Sequence, residues 1–155
     1  MGRERLEMIS AFPFPPDTAI ISITDTDAGG IILKHRPQHL LRLSFNDITD
    51  DVLMTDRGQP YPLDKTKAII QRYRMFTEEH ARSIAGFFSG IRDSADMLIC
   101  QCEFGQSRSA AVAAAILEYT EGRGGDIFTD SRYSPNRKVY GMLLHQLQGL
   151  TAIEQ

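Results

Sequence analysis

The stretch MLICQCEFGQSRSAAVAAAILEY, residues 97–119, is the most informative part of the chain. It opens on an apolar run, Met97 to Cys100, of the kind that a fully buried strand shows. An alanine-rich segment typical of a buried helix follows Arg108. Between the two lies a short turn with Cys102 at its start and Gly105 in its middle. The stretch therefore predicts a strand, a turn and a helix in direct succession.

The turn, residues 102–108, has the character of an anion site. A loop that leads from a strand into a helix N-terminus points several backbone N–H groups into one concavity, where the helix dipole adds positive potential. Such a concavity can hold a phosphate-like dianion. Arg108 can fork two hydrogen bonds onto that anion. The same field favours the thiolate form of Cys102, which would be a nucleophile aimed at phosphorus.

These residues resemble the signature of the cysteine-dependent protein tyrosine and dual-specificity phosphatase superfamily, His-Cys-x-x-Gly-x-x-Arg-Ser/Thr. Cys102, Gly105, Arg108 and Ser109 match it. The resemblance implies that Cys102 forms a phosphocysteine intermediate, that Arg108 clamps the phosphate and that Ser109 assists release of the thiolate. The order of elements favours a compact, bacterial-type dual-specificity member. The phosphate-binding loop would comprise Glu103, Phe104, Gly105, Gln106, Ser107 and Arg108.

One position departs from the signature, because Gln101 stands where the family has a histidine before the cysteine. In the family that histidine steadies the loop and helps to keep the cysteine ionised. Glutamine can still donate hydrogen bonds but cannot do all of this. A second interpretation therefore stays open, in which the chain is a phosphate-binding pseudophosphatase that turns over poorly.

The rest of the chain alternates between strand and helix patterns. This predicts an α/β, phosphotyrosine-phosphatase-like fold for residues 1–155 as a single phosphatase-like domain. Its central, mostly parallel sheet would have about four or five strands flanked by helices. Further strands are predicted at Leu6–Ala11, Ala19–Ile23 and His39–Phe45, helices from about Asp64, from the N-cap Thr77 and at Asn136–Leu150, and a loop at Asp126–Pro135.

A carboxylic acid is expected near the cysteine loop. The strand at His39–Phe45 is followed by Asn46 and Asp47. Because ligands of an open α/β sheet bind outside the carboxyl ends of its strands, Asp47 should share a rim with Cys102. An acid there can protonate the leaving oxygen of a phosphate ester, and in the resembled family an aspartate after the corresponding strand does so. Alternative candidates for this acid are Asp50, Asp51 and Asp64.

The composition is that of an ordinary globular protein. Hydrophobic residues make up 42% of the 155 residues and charged residues 24%. The net charge of -3 gives no electrostatic reason to expect nucleic-acid or membrane binding. The two cysteines, Cys100 and Cys102, lie too close in sequence for a disulfide framework, which fits a reducing compartment. With no targeting signal or apolar membrane run in the sequence, we expect a cytoplasmic protein.

Neither a metal nor another cofactor is expected. Asp25 and Asp27 lack the further oxygen ligands of a calcium loop and are interpreted as solvated loop residues. His80 is a single histidine on a predicted helix and is interpreted as a plain surface or core residue. The other three histidines, His35, His39 and His145, have no Cys, Asp or Glu at metal-ligand spacing.

The sequence thus predicts a phosphomonoester hydrolase of the protein tyrosine or dual-specificity type, with a phosphorylated protein or a small phosphomonoester as substrate. The variable loop positions carry no lysine, which disfavours a highly phosphorylated inositol head group. Sulfur transfer and arsenate reduction also use cysteine loops and are less favoured alternatives. The Arg108-Ser109 pair favours phosphate over sulfur.

Residues 50–76 are interpreted as a surface insertion or a lid.

Overall fold

The computed structural model describes the backbone of residues 1–153 and the side chains of residues 1–150. Its centre is a parallel sheet of three strands, β1 (Thr18–Thr24), β2 (His39–Ser44) and β3 (Met97–Gln101). β1 lies in the middle and pairs with β2 on one side and β3 on the other. Every residue of β1 is buried, because both its edges and both its faces are covered.

The described residues form six α-helices, four of which pack against the sheet. Three of them pack with Ile21 and Ile23 on one face of β1, while Leu6 of the first helix packs with Ile20 and Ile31 on the other. Among residues 1–153, no helix combines the length and the apolar character needed to cross a membrane. The helices are α1 (Arg3–Ile9), α2 (Leu63–Tyr73), α3 (Glu78–Ile91), α4 (Arg108–Glu121), α5 (Gly125–Thr129) and α6 (Arg137–Ile153), and the first face is covered by α3, α4 and α6.

The ends of the helices follow from the sequence. The Thr77 N–H donates to Nδ1 of His80 at 3.1 Å, which closes the first turn of α3. His80 also stacks against Phe76, and burial lowers the pKa of its imidazole. α4 ends at Gly122, whose φ of 68° lies in the left-handed region that favours glycine.

Three sequence-based predictions are corrected by the structure. Leu6–Ala11 is not a strand, because Arg3–Ile9 form α1, in which only Leu6 is buried. Arg, Glu, Leu and Met all favour helices, so the local preference agrees with this outcome. The sheet accordingly has three strands within residues 1–153 rather than four or five. Asp126–Pro135 is not wholly a loop, since it includes most of α5.

Candidate active site

The cysteine loop connects β3 to α4. Residues 102–108, hereafter the phosphate loop, surround the sulfur of Cys102, and this residue is only 2% exposed. The Gly105 N–H donates to Sγ at 3.3 Å, and Oγ of Ser109 lies 3.2 Å from Sγ. Gly105 adopts a φ of 77°, a left-handed conformation that favours glycine. The sulfur is thus held between a backbone N–H of the loop and a hydroxyl of α4.

The guanidinium of Arg108 is buried, and its Nη1 atom is fixed by two contacts. Its Nη1 donates to the Phe45 carbonyl at 2.7 Å and forms an ion pair with Asp25 Oδ1, also at 2.7 Å. Its Nε is buried and has no hydrogen-bond partner among the described residues. A buried N–H without an acceptor costs about 1–3 kcal/mol. An oxyanion bound at Nε would remove that cost, so the guanidinium is arranged to receive an anion on this edge.

Asp25 is the site residue that sequence reasoning missed. It follows β1 directly, and its interpretation as a solvated loop residue is wrong because its carboxylate pairs with Arg108. β1 lies beside β3 in the sheet, so the loops that follow the two strands meet at the same rim. The rule that ligands bind at the carboxyl ends of parallel strands predicted Asp47 as a site residue. The same rule applies to Asp25 once β1 is known to lie next to β3.

We expect Asp25→Asn to weaken anion binding. The substitution removes the charge that fixes Nη1 of Arg108, so the guanidinium is held less firmly. The inhibition constant for inorganic phosphate should rise about tenfold, which corresponds to roughly 1.4 kcal/mol. Asp27→Asn is the matched control, because Asp27 is an exposed residue of the same loop. Equal inhibition constants for the two variants would contradict this role of Asp25.

Asp47 lies at the rim and reaches the phosphate loop. Its Oδ1 accepts hydrogen bonds from Oγ of Ser107 and from Nδ2 of Asn136, both at 2.9 Å. Asn136 is buried, and its own Oδ1 accepts the N–H groups of Lys138 and Val139 at 3.1 and 3.2 Å. Asn136 therefore fixes the Asp47 carboxylate to the start of α6. Because Asp47 itself is exposed, its carboxyl group is accessible to a leaving group.

The other candidate acids have different environments. Asp50 pairs with Nζ of Lys138 at 2.6 Å, and Asp51 accepts a hydrogen bond from the Thr49 hydroxyl. Asp64 is exposed in the first turn of α2. In the part of the chain whose side chains are described, none of these three carboxylates hydrogen-bonds to residues 102–108. Of the four candidates, Asp47 is therefore the one that contacts the phosphate loop among the described residues.

Gln101 lies at the base of the phosphate loop. It is fully buried, and its Oε1 accepts a hydrogen bond from the Ser22 hydroxyl of β1 at 2.6 Å. Its Nε2 is buried without a hydrogen-bond partner among the described residues. Gln101 therefore connects the loop to the central strand through a neutral contact, where the resembled family has a histidine.

The second cysteine differs from Cys102. Burial raises the pKa of the Cys100 thiol to about 12, so this group stays protonated near neutral pH. A protonated thiol is a poor nucleophile. Of the two cysteines, Cys102 is therefore the candidate for covalent chemistry.

A cleft of about 700 Å³ opens beside the phosphate loop. Phe104 projects from the loop at its mouth with 84% of its surface exposed, and Tyr133 also lines the cleft. Charged residues on its walls include Arg3, Arg5 and Asp25. Neither Cys102 nor Arg108 lines this cleft, so it adjoins the loop without including the sulfur or the guanidinium.

The comparisons with known proteins bear on the fold. No protein-family model matches the sequence, and no curated protein matches it. The structure is similar to the crystal structure of PTPMT1 in complex with PI(5)P, with a TM-score of 0.51 and 14% sequence identity. The match covers 90% of this chain and 82% of that chain. The chain therefore has a phosphatase-like α/β fold.

Proposed function

We propose that this chain is a phosphomonoester hydrolase of the protein tyrosine or dual-specificity type that acts through a phosphocysteine intermediate. A fold hosts many activities, so the proposal depends on the site. The observation that carries it is the buried sulfur of Cys102, 3.3 Å from the Gly105 nitrogen and 3.2 Å from Oγ of Ser109. Arg108, the last residue of the same loop, is also the first residue of α4.

In the first chemical step the Cys102 thiolate attacks phosphorus. An S–P bond forms while the bond from phosphorus to the leaving oxygen breaks. Arg108 and the backbone N–H groups of the loop stabilise the charge on the other phosphate oxygens. Protonated Asp47 donates its proton to the leaving oxygen, so the departing group is a neutral alcohol or phenol.

The second step hydrolyses the phosphocysteine. The Asp47 carboxylate takes a proton from water as the water oxygen attacks phosphorus, and the S–P bond breaks. Ser109 donates a hydrogen bond to the departing thiolate from its position beside the sulfur. Inorganic phosphate is released, and both Cys102 and Asp47 return to their starting protonation states.

This mechanism predicts a bell-shaped pH profile, because it needs an ionised Cys102 and a protonated Asp47 at the same time. Activity should fall at low pH because the thiolate becomes protonated, and at high pH because Asp47 loses the proton that it must donate. Asp47→Asn should lower kcat about 100-fold and abolish the fall at high pH. The amide oxygen can still accept hydrogen bonds from Ser107 and Asn136, so the loop is expected to keep its structure.

The matched controls for Asp47→Asn are Asp50→Asn and Asp51→Asn. Both change a carboxylate on the same rim without touching the phosphate loop. The measurement is kcat against pH for the four proteins with p-nitrophenyl phosphate. An Asp47→Asn profile with its descending limb intact would remove Asp47 from the acid role.

The charges around the cleft support a substrate with a single phosphate group. Most cationic side chains near the loop are already paired with a carboxylate, so little unpaired positive charge is left to bind further phosphate groups. The pairs are Arg3 with Glu103, Arg108 with Asp25, and Arg132 with Asp130. PTPMT1 was crystallised with PI(5)P, a phosphoinositide. For this chain we propose a phosphorylated protein or a small phosphomonoester, and no nucleic acid or membrane partner.

Gln101 supports a second candidate function, anion binding with little turnover. It supplies a neutral side chain where the family has a histidine, and its Nε2 is buried without a partner among the described residues. Hydrolysis of p-nitrophenyl phosphate by reduced protein with EDTA present separates the two. Turnover supports the hydrolase, whereas tight orthovanadate binding without turnover supports the anion-binding module. Turnover of thiosulfate or arsenate instead would indicate sulfur transfer or arsenate reduction.

A further inference from the structure

Residues 1–3, hereafter the N-terminal segment, pair with the first residues of the phosphate loop. The Cys102 N–H donates to the Met1 carbonyl at 3.2 Å, and the Arg3 N–H donates to the Glu103 carbonyl at 3.0 Å. The pairing has the parallel geometry of the sheet. It therefore extends the hydrogen-bond pattern of β3 into the loop.

The segment and the loop approach each other through two glycines. A Cβ atom added to Gly105 would lie 2.4 Å from the Gly2 nitrogen and 2.5 Å from the Met1 carbonyl carbon. A Cβ atom added to Gly2 would lie 3.2 Å from the carbonyl oxygen of Phe104. The close contact of the two backbones thus depends on glycine at position 105 and leaves little room for a side chain at position 2.

The side chain of Arg3 secures this contact. Its Nε and Nη2 donate to the two oxygens of the Glu103 carboxylate at 2.8 and 2.9 Å, and both side chains are largely buried. Nη2 also donates to the Gly29 carbonyl at 2.8 Å. The fork lowers the pKa of the Glu103 carboxyl. Two parallel hydrogen bonds to one carboxylate fix orientation as well as position.

Glu103 also connects to the residues that hold Arg108. Its Oε1 lies 3.3 Å from the Asp25 nitrogen and accepts that N–H. The Asp25 carboxylate in turn pairs with Arg108. Arg3 is therefore joined through Glu103 to both sides of the anion site, the cysteine side and the arginine side.

We propose that Arg3 is a positioning residue, which acts through Glu103 to hold the phosphate loop in its anion-binding shape. The pairing uses the Cys102 N–H and the Glu103 carbonyl. The Gly105 N–H takes no part in it and donates to the sulfur. The effect on turnover rests on the proposed function, whereas the effect on loop shape does not.

The test compares Arg3→Ala, Arg3→Lys and Glu103→Gln with the unmodified chain. Two readouts report the loop directly, namely the rate of Cys102 alkylation by iodoacetamide against pH and the inhibition constant or affinity for orthovanadate. We expect Arg3→Ala and Glu103→Gln to slow alkylation at neutral pH and to weaken orthovanadate binding, each about tenfold. Arg3→Lys keeps the charge but cannot form the fork, so it should recover thermal stability and only part of the orthovanadate affinity.

Arg123→Ala is the matched control. Arg123 forms ion pairs with Glu121 and Asp126 just beyond the C-terminal end of α4. α4 has 14 residues and begins at the last residue of the phosphate loop, so its far end lies about 20 Å from the loop. This variant should match the unmodified chain in alkylation and orthovanadate binding.

The outcomes separate this proposal from the proposed function. Normal alkylation and orthovanadate binding in folded Arg3→Ala and Glu103→Gln would overturn the positioning role, whatever the unmodified chain hydrolyses. Full recovery of both readouts in Arg3→Lys would also overturn it, since charge alone would then suffice. If the unmodified chain has no hydrolase activity but both variants slow alkylation, the positioning role stands and the hydrolase proposal fails.

Discussion

Cys102→Ser is expected to lower the turnover of p-nitrophenyl phosphate by about 10⁴-fold or more, because a serine hydroxyl in this loop stays protonated and cannot replace the thiolate. The smaller oxygen fits the buried position of the sulfur without a steric clash. The backbone donors of the loop and Arg108 are unchanged, so orthovanadate or phosphate should still bind. The measurement is steady-state hydrolysis by reduced protein with EDTA present.

Cys100→Ala is the control for that substitution. It removes the other cysteine, whose high pKa keeps it out of nucleophilic chemistry. The control should retain turnover apart from any change in the amount of folded protein, which a thermal melt reports. Turnover that survives Cys102→Ser, or that disappears in folded Cys100→Ala, would contradict the assignment of Cys102 as nucleophile.

Arg108→Lys should lower kcat/KM by about 10³-fold although it preserves the positive charge. The guanidinium donates from Nη1 to the Phe45 carbonyl, pairs with Asp25 and keeps Nε for the anion. A lysine ammonium is a single point charge and cannot serve these positions together. Loss of one well-placed donor at a developing negative charge costs about 10²–10³ in rate. Lost orientation of the substrate phosphate adds to that.

The same substitution should reduce stability. The buried Phe45 carbonyl loses its donor, which costs about 1–3 kcal/mol. The Asp25 side chain is 44% exposed, so water can replace its partner. Arg82→Lys is the control, because Arg82 is exposed on α3 and pairs only weakly with Glu78 at 3.7 Å. A kcat/KM for Arg108→Lys within threefold of the Arg82→Lys value would show that charge, not the fork, is what the site requires.

The central elements of the fold could be predicted because their signals are local. β3 and α4 follow from an apolar run and an alanine-rich segment on either side of the loop. The strand prediction at Ala19–Ile23 is confirmed by β1, which extends it by one residue at each end. The pattern of apolar side chains within each of these segments is enough to predict its secondary structure.

The features that could not be predicted depend on contacts between distant residues. Arg3 and Glu103 are 100 positions apart, so no local pattern shows that they pair. The role of Asp25 depends on β1 lying next to β3, and the sequence does not state the strand order. The loop motif predicted where anion chemistry would occur, but not which residues hold Arg108 in place.

The pairing of the N-terminal segment with the phosphate loop also sets the order in which the site can form during synthesis. Met1 to Arg3 are made about 100 residues before their partners Cys102 and Glu103. At a synthesis rate of about 5–20 residues per second, that interval lasts roughly 5–20 s. A nascent chain therefore has no assembled anion site until residues 102–108 have been translated and have paired with the N-terminal segment.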